Sequence, residues 1–189
     1  MKIATIKDRD KIVDILFKSF VDVRIPNSIN FIVGLNNDRD KRLRALMEYQ
    51  FDRTILEGKA IISDDDKGVI LFLESNTFSF KKIILDFKLL FKCIGIRNVF
   101  NVLKREKILK NNHPNQKFIH LWLMAVNPEF QGQGNGSKLL QETLKYYKNE
   151  LIYLETTTQE NLSFYTKNKF TIFKENFNLD YPLYFLKYV

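Results

Sequence analysis

The stretch Val126-Asn127-Pro128-Glu129-Phe130-Gln131-Gly132-Gln133-Gly134-Asn135-Gly136-Ser137 joins an apolar run, Ile119 to Val126, to a helix-like run, Lys138 to Tyr147. Its three glycines alternate with polar residues. A strand that turns through such a loop into a helix presents unpaired backbone N–H groups at the positive end of the helix dipole. That is an anion site, and its natural guest is a phosphate or pyrophosphate.

Three kinds of phosphate loop compete for these residues. A P-loop ends in Gly-Lys-Ser/Thr, whereas this one runs Gly136-Ser137-Lys138, with hydroxyl and amine reversed. A dinucleotide fingerprint needs G-x-G-x-x-G, and here the third glycine arrives one residue early. Glu155 lies at about the right distance for a ribose-binding acid, so that reading is weakened, not excluded. The third pattern is Q/R-x-x-G-x-G/A, matched by Gln131, Gly134 and Gly136 and preceded by V-x-P at Val126 to Pro128. It resembles the acetyl-CoA loop of the GNAT acetyltransferases.

Downstream residues extend the resemblance. Leu151-Ile152-Tyr153-Leu154-Glu155-Thr156 is an apolar run of strand length ending in polar residues. Asn161-Leu162-Ser163-Phe164-Tyr165-Thr166-Lys167-Asn168-Lys169-Phe170 is similar to the family's N-x-x-x-Y-x-x-x-G-F segment and departs from it at Lys169. Losing that turn glycine alters a helix end without removing chemistry. Leu154-Glu155-Thr156 followed by Asn161 and Tyr165 resembles the puromycin-N-acetyltransferase-like branch. The resemblance spans roughly residues 119–175.

The resemblance implies acetyl transfer from acetyl-CoA to a primary amine of a small molecule or peptide, by direct attack in a ternary complex. It assigns the CoA pyrophosphate to the backbone of Gln131, Gly132, Gln133, Gly134, Asn135, Gly136 and Ser137. Met124, Ala125 and Val126 would run beside the pantetheine arm through their backbone, while core packing is the favoured reading of their side chains. Tyr165 would protonate the leaving thiolate, against the plain reading of a buried helical aromatic. Asn161 would touch the cofactor arm or simply cap a helix. Glu155 would be the base or bind the acceptor, unless it is a surface glutamate. His120, at the far start of its strand, reads as structural, and His113 beside Pro114 reads as solvent-exposed. Two histidines and one cysteine supply no metal cluster, so no metal is expected. A second class of function is a GNAT-like module that binds acyl-CoA without turnover.

Composition sets outer bounds. A chain of 189 residues suits one domain, residues 1–189, with a helical insertion at about 80–110. Hydrophobic content of 45% with 17 phenylalanines argues against disorder. No apolar run approaches the roughly 20 residues that cross a bilayer, and the first residues lack a signal-like apolar segment. The single cysteine, Cys93, reads as a buried inert thiol in a reducing cytoplasm. The net charge of +8 is concentrated in the insertion. There Lys81, Lys82, Lys88, Lys92, Arg97, Lys104, Arg105, Lys107 and Lys110 face only Asp86 and Glu106. Such a face attracts CoA phosphates, anionic membranes or nucleic acid. No nucleic-acid motif accompanies it, so it reads as a solvated helix face, with no nucleic-acid partner expected and a monomer or homodimer as the assembly.

Read along the chain, the pattern predicts a strand at 1–6, helices at 8–20 and 40–57, and mostly loop at 21–37. Gly58 fits a helix stop. Residues 60–63 and 69–74 read as a hairpin. Phe80, Ile83, Ile84, Phe87, Leu90, Phe91 and Ile94 recur at helical spacing, a stripe expected to pack on the sheet. A further helix is expected at 99–109, and Ile119 to Val126 as a central strand covered on both sides. Final strands are expected at 171–176 and 183–188. The elements amount to a mixed α/β sandwich. The resemblance narrows it to a mostly antiparallel GNAT-like sheet flanked by helices on both faces, with a helical insertion before the central strand.

Overall fold

The computed structural model describes residues 1–35, 37–74 and 79–189. Seven strands form one sheet: β1 (Lys2–Ile3), β2 (Gly58–Ile62), β3 (Gly68–Leu73), β4 (Ile119–Val126), β5 (Ile152–Thr156), β6 (Thr171–Asn176) and β7 (Leu183–Tyr188). Their order is β1-β2-β3-β4-β5-β7-β6. Every neighbouring pair is antiparallel except β4 with β5. The principal helices are α1 (Arg9–Phe20), α2 (Ser28–Val33), α3 (Arg39–Glu57), α4 (Phe80–Leu89), α5 (Val99–Lys110), α6 (Asn135–Tyr146) and α7 (Gln159–Lys167). The expected α/β class and insertion are therefore present.

The sheet divides two apolar layers, as the pleat's alternation requires. On one face Ile12, Leu16, Leu43 and Met47 of α1 and α3 pack with Ala60, Ile62, Val69 and Leu71. On the other, Leu139, Leu140 and Leu144 of α6 and Tyr165 of α7 pack with Ile61, Ile70, Phe72 and Leu154. Successive residues of β2 and β3 thus serve opposite layers, and they read as continuous apolar runs.

The structure refines the sequence expectation at several elements. The first strand is only Lys2–Ile3, because Thr5 and Asp8 form a capping box that starts a short helix at Ile6. Residues 21–37 contain α2, whose first turn is capped by the Asn27 side chain accepting from the Asn30 N–H at 2.8 Å. Gly58 stops α3 as expected, though in an extended rather than left-handed conformation. A Cβ there would lie 1.9 Å from the Phe72 carbonyl oxygen, so glycine is required by strand proximity.

The α4 stripe is a clear departure. Phe80, Ile84, Phe87 and Phe91 do not pack on the sheet; all are exposed. α4 instead turns its other side toward α3. Leu85 and Leu89 join the core there, and Cys93 is buried in the π-helical turn that follows. Polar contacts hold that orientation. Lys82 Nζ lies 3.2 Å from Glu57, whose carboxylate also accepts from Arg53 Nε at 2.7 Å. Tyr49 donates to Asp86 at 2.8 Å. Helical periodicity identifies a stripe but not the side that finds a partner.

Candidate active site

β4 and β5 pair only at Ile119 with Ile152 and at His120 with Tyr153. Beyond these residues the two parallel strands separate, leaving a wedge whose vertex is His120. The β3–β4 register shifts between Leu71 and Phe72, skipping Trp122. A bulge of this kind bends its strand and adds twist, carrying the end of β4 away from β5. Leu121 to Val126 are therefore paired with β3 on one edge, and among the described residues no strand pairs the other. β4 is thus the expected central strand, fourth of seven and packed on both faces, with one edge left open beyond His120.

The glycine loop closes the wide end of the wedge. Gly132 and Gly134 have φ of 72° and 80°, the left-handed region where a Cβ is penalised. Among the described residues, the N–H groups of Gly132, Gln133 and Gly134 have no hydrogen-bond partner in the protein. They sit at the start of α6, a helix of 12 residues. The loop is braced from its own side chains. Gln131 Nε2 donates to the Val126 carbonyl at 2.8 Å, Asn135 Nδ2 to Phe130 at 2.8 Å, and Gln133 Nε2 to Glu129 at 3.2 Å. Ser19 of α1 donates to the same Val126 carbonyl at 2.9 Å, which anchors the tip of β4 from the opposite layer.

A single cavity of about 1530 Å³ runs through the wedge. Met124, Ala125 and Val126 line it, as do Gln131, Gly132, Gly134, Gly136 and Ser137 of the loop and Asn161, Tyr165 and Glu155. Gln133 and Asn135 lie outside that lining, with side chains committed to the loop. Asn161 does not cap α7; Thr158 does, accepting from the Asn161 N–H at 3.3 Å. Gly136 is a close-packing position, since a Cβ would touch Met124 and Val126 at 3.5 Å and Phe164 at 3.6 Å.

Glu155 is no surface glutamate. Its side chain is 8% exposed and its carboxylate lies 2.8 Å from His120 Nε2. Burial by itself raises this carboxyl's pKa, but His120, Arg105 and His113 outweigh it and hold the group below its ordinary range. Arg105 of α5 is buried and donates from Nε to the Tyr181 hydroxyl at 3.1 Å. His113 is half-buried, not solvent-exposed as its place beside Pro114 predicted. Its ring centroid is 5.2 Å from Tyr153 and 6.3 Å from His120. Burial, then the nearby His120, lowers its pKa.

Sequence reasoning passed over Arg105, His113 and His120 as site residues. The signal that links them is register. With His120 opposite Tyr153 in a parallel pair, Glu155 falls on the same face two residues on.

Tyr165, on α7, is 9% exposed, and burial followed by the Glu155 charge pushes its phenol well above the usual value. It therefore keeps its proton at neutral pH. α7 ends in the geometry that glycine usually supplies. Lys169 holds φ of 70°, and the Phe170 N–H reaches back to the Tyr165 carbonyl at 3.1 Å. Asn168 ties the helix to α6, accepting from Gln141 at 3.1 Å and donating to the Phe164 carbonyl at 2.8 Å.

Comparison with known proteins gives a consistent result. Residues 97–172 match the family model described as an acetyltransferase (GNAT) domain. No curated protein matches the chain in sequence. Among solved structures, one from Corynebacterium glutamicum is described as histone acetyltransferase HPA2 and related acetyltransferase. It is 21% identical with a TM-score of 0.71 over 98% of this chain and 93% of that one. Arylalkylamine N-acetyltransferase 2 from Aedes aegypti is 18% identical, TM-score 0.65, over 100% and 97%. The C-terminal condensation domain of Ebony, solved with beta-alanyl-dopamine, is 10% identical, TM-score 0.64, over 99% and 96%. At these identities the structural likeness establishes the fold, which is that of the GNAT acetyltransferases. None of these similarities singles out the puromycin-like branch.

Proposed function

We propose that the protein is an N-acetyltransferase that moves an acetyl group from acetyl-CoA to a primary amine of a small molecule or peptide by direct attack. The observation supporting it most is that one cavity joins the unpartnered loop amides, the open edge of β4, Tyr165 and the Glu155–His120 pair.

The residues present fit a CoA thioester. Gly132 to Gly134 and the first turn of α6 offer N–H donors to a diphosphate, and the unpaired edge of β4 at Met124 to Val126 offers amide partners to the pantetheine arm. Acetyl-CoA supplies the activated acyl group. A backbone N–H near Val126 would steady the developing negative charge on the acyl oxygen. The Glu155–His120 pair would take the proton that the amine must lose as its C–N bond forms. Tyr165 would give a proton to sulfur as the C–S bond breaks, and the two transfers balance. Cys93 supports direct transfer: its thiol is 1% exposed, is pushed up to about 12 by burial, and lies outside the cavity lining. It is therefore unfit to carry an acyl group.

The names of two structural neighbours, an arylalkylamine N-acetyltransferase and a domain holding beta-alanyl-dopamine, favour testing small amines first. The measurement is CoA release from acetyl-CoA across arylalkylamines, polyamines and peptide amines, paired with calorimetry. Binding with no release on any amine would assign the alternative, a non-catalytic acyl-CoA module. Failure to bind either CoA or acetyl-CoA would remove both readings.

A further inference from the structure

α4 leaves its most apolar side exposed to solvent. Phe80, Ile84, Phe87 and Phe91 succeed one another at intervals of four, three and four residues, which places them in one stripe along the helix and its π-helical extension. They are 77%, 56%, 57% and 70% exposed. Across Gly95, Ile96 in the following 3-10 turn and Phe100 and Leu103 of α5 continue the exposed series at 74%, 83% and 58%. Single exposed apolar residues are ordinary, but four on one helical stripe, three of them phenylalanine, are not.

A second column runs beside the stripe. Lys81, Lys88 and Lys92 share spacings of seven and four residues, about 80 to 120° around the helix from Phe80 at 100° per residue. All three are exposed. No carboxylate pairs with them, or with Lys104 of α5, among the described residues. The underside of α4 is already engaged through Leu85, Leu89, Lys82 and Asp86, so stripe and column both face outward.

We infer that α4 and the start of α5 form an interfacial docking face that seats the protein on an anionic lipid surface. Phe80, Ile84, Phe87 and Phe91 enter the headgroup–acyl boundary, while Lys81, Lys88 and Lys92 meet lipid phosphates. An apolar stripe flanked by lysines on a helix lying in the plane is the pattern such surfaces select. Among the described residues no helix is long and apolar enough to cross a membrane, so the association is peripheral. Charge argues against a second copy as the occupant. Self-association would set lysine columns of like sign together in a chain of net charge +8, whereas an anionic leaflet complements them. α5 also lines the cavity through Val102, Leu103 and Leu109, so docking brings the cavity rim to the lipid.

The test is co-sedimentation of the full chain with phosphatidylcholine vesicles, with and without about one-third phosphatidylglycerol, at low and high salt. Binding is expected only to the anionic vesicles and should weaken as salt rises. Phe87→Ser with Phe91→Ser should cut partitioning at least about tenfold. Lys88→Gln with Lys92→Gln should cut it about 25-fold, each lysine contributing about a fivefold factor. Both variants change exposed residues, and unaltered thermal unfolding would verify that they fold. Absence of binding to the anionic vesicles, or binding indifferent to the phenylalanine changes, would overturn the proposal. So would sedimentation equilibrium showing a dimer that the phenylalanine changes dissolve, because the face would then belong to a second copy.

Discussion

Tyr165 and Glu155 owe their chemistry to surroundings that the residue types alone do not specify. A phenol kept protonated by burial suits proton donation, and removing only its oxygen isolates that role. Tyr165→Phe is expected to lower turnover by at least about a hundredfold while leaving the calorimetric affinity for acetyl-CoA nearly unchanged. Equal turnover in the two proteins would dismiss Tyr165 as the acid. Lys169 is a residue-scale exception of another kind, since it occupies a left-handed conformation that penalises a Cβ. Lys169→Gly removes that penalty and partly offsets it by loosening the unfolded chain, so a net gain of about 1 kcal/mol is expected in urea unfolding. The motif comparison found the departure at Lys169; that the backbone keeps the glycine geometry became visible only with coordinates.

At the scale of elements, the strand–loop–helix unit from β4 to α6 was the most legible part of the chain. Its glycines, apolar run and helical stripe are all local signals. The reason for glycine at position 134 is more particular than open space for a phosphate. A Cβ there meets nothing within 4 Å, while φ of 80° disfavours any side chain and a β-branched one most. Gly134→Val should therefore weaken acetyl-CoA binding about tenfold by re-folding the loop. Unaltered affinity in a folded variant would contradict the assignment of the loop amides. α4 shows the opposite case. Its amphipathic period was plain from sequence, yet the side that faces the protein is chosen by Glu57, Tyr49 and the core around Leu85, all remote in sequence.

For the whole molecule, the buried cluster at the floor of the wedge ties stability to pH. Glu155 and His113 both have folded pKa values below their ordinary ones. In each case the folded state binds a proton less readily than the unfolded chain, so their stabilisation is present at higher pH and lost as pH falls. Losses should begin as pH drops below about 6.5, where unfolded histidine starts to take up protons, and continue below the ordinary carboxylate range. Glu155→Gln should flatten the lower part of a plot of urea midpoint against pH; an unchanged acid limb would refute the lowered carboxyl pKa assigned to Glu155. This cluster also marks the division between what the chain's letters decide and what folding decides. Periodicity, glycine placement and local motifs were enough for the α/β class, the insertion and the loop, because each depends on neighbours within a few residues. The pairing of His120 with Glu155, the burial of Arg105 and His113, and the outward face of α4 were decided by strand register and helix packing. Those bring together residues up to 76 positions apart, and no local pattern encodes which of them will meet.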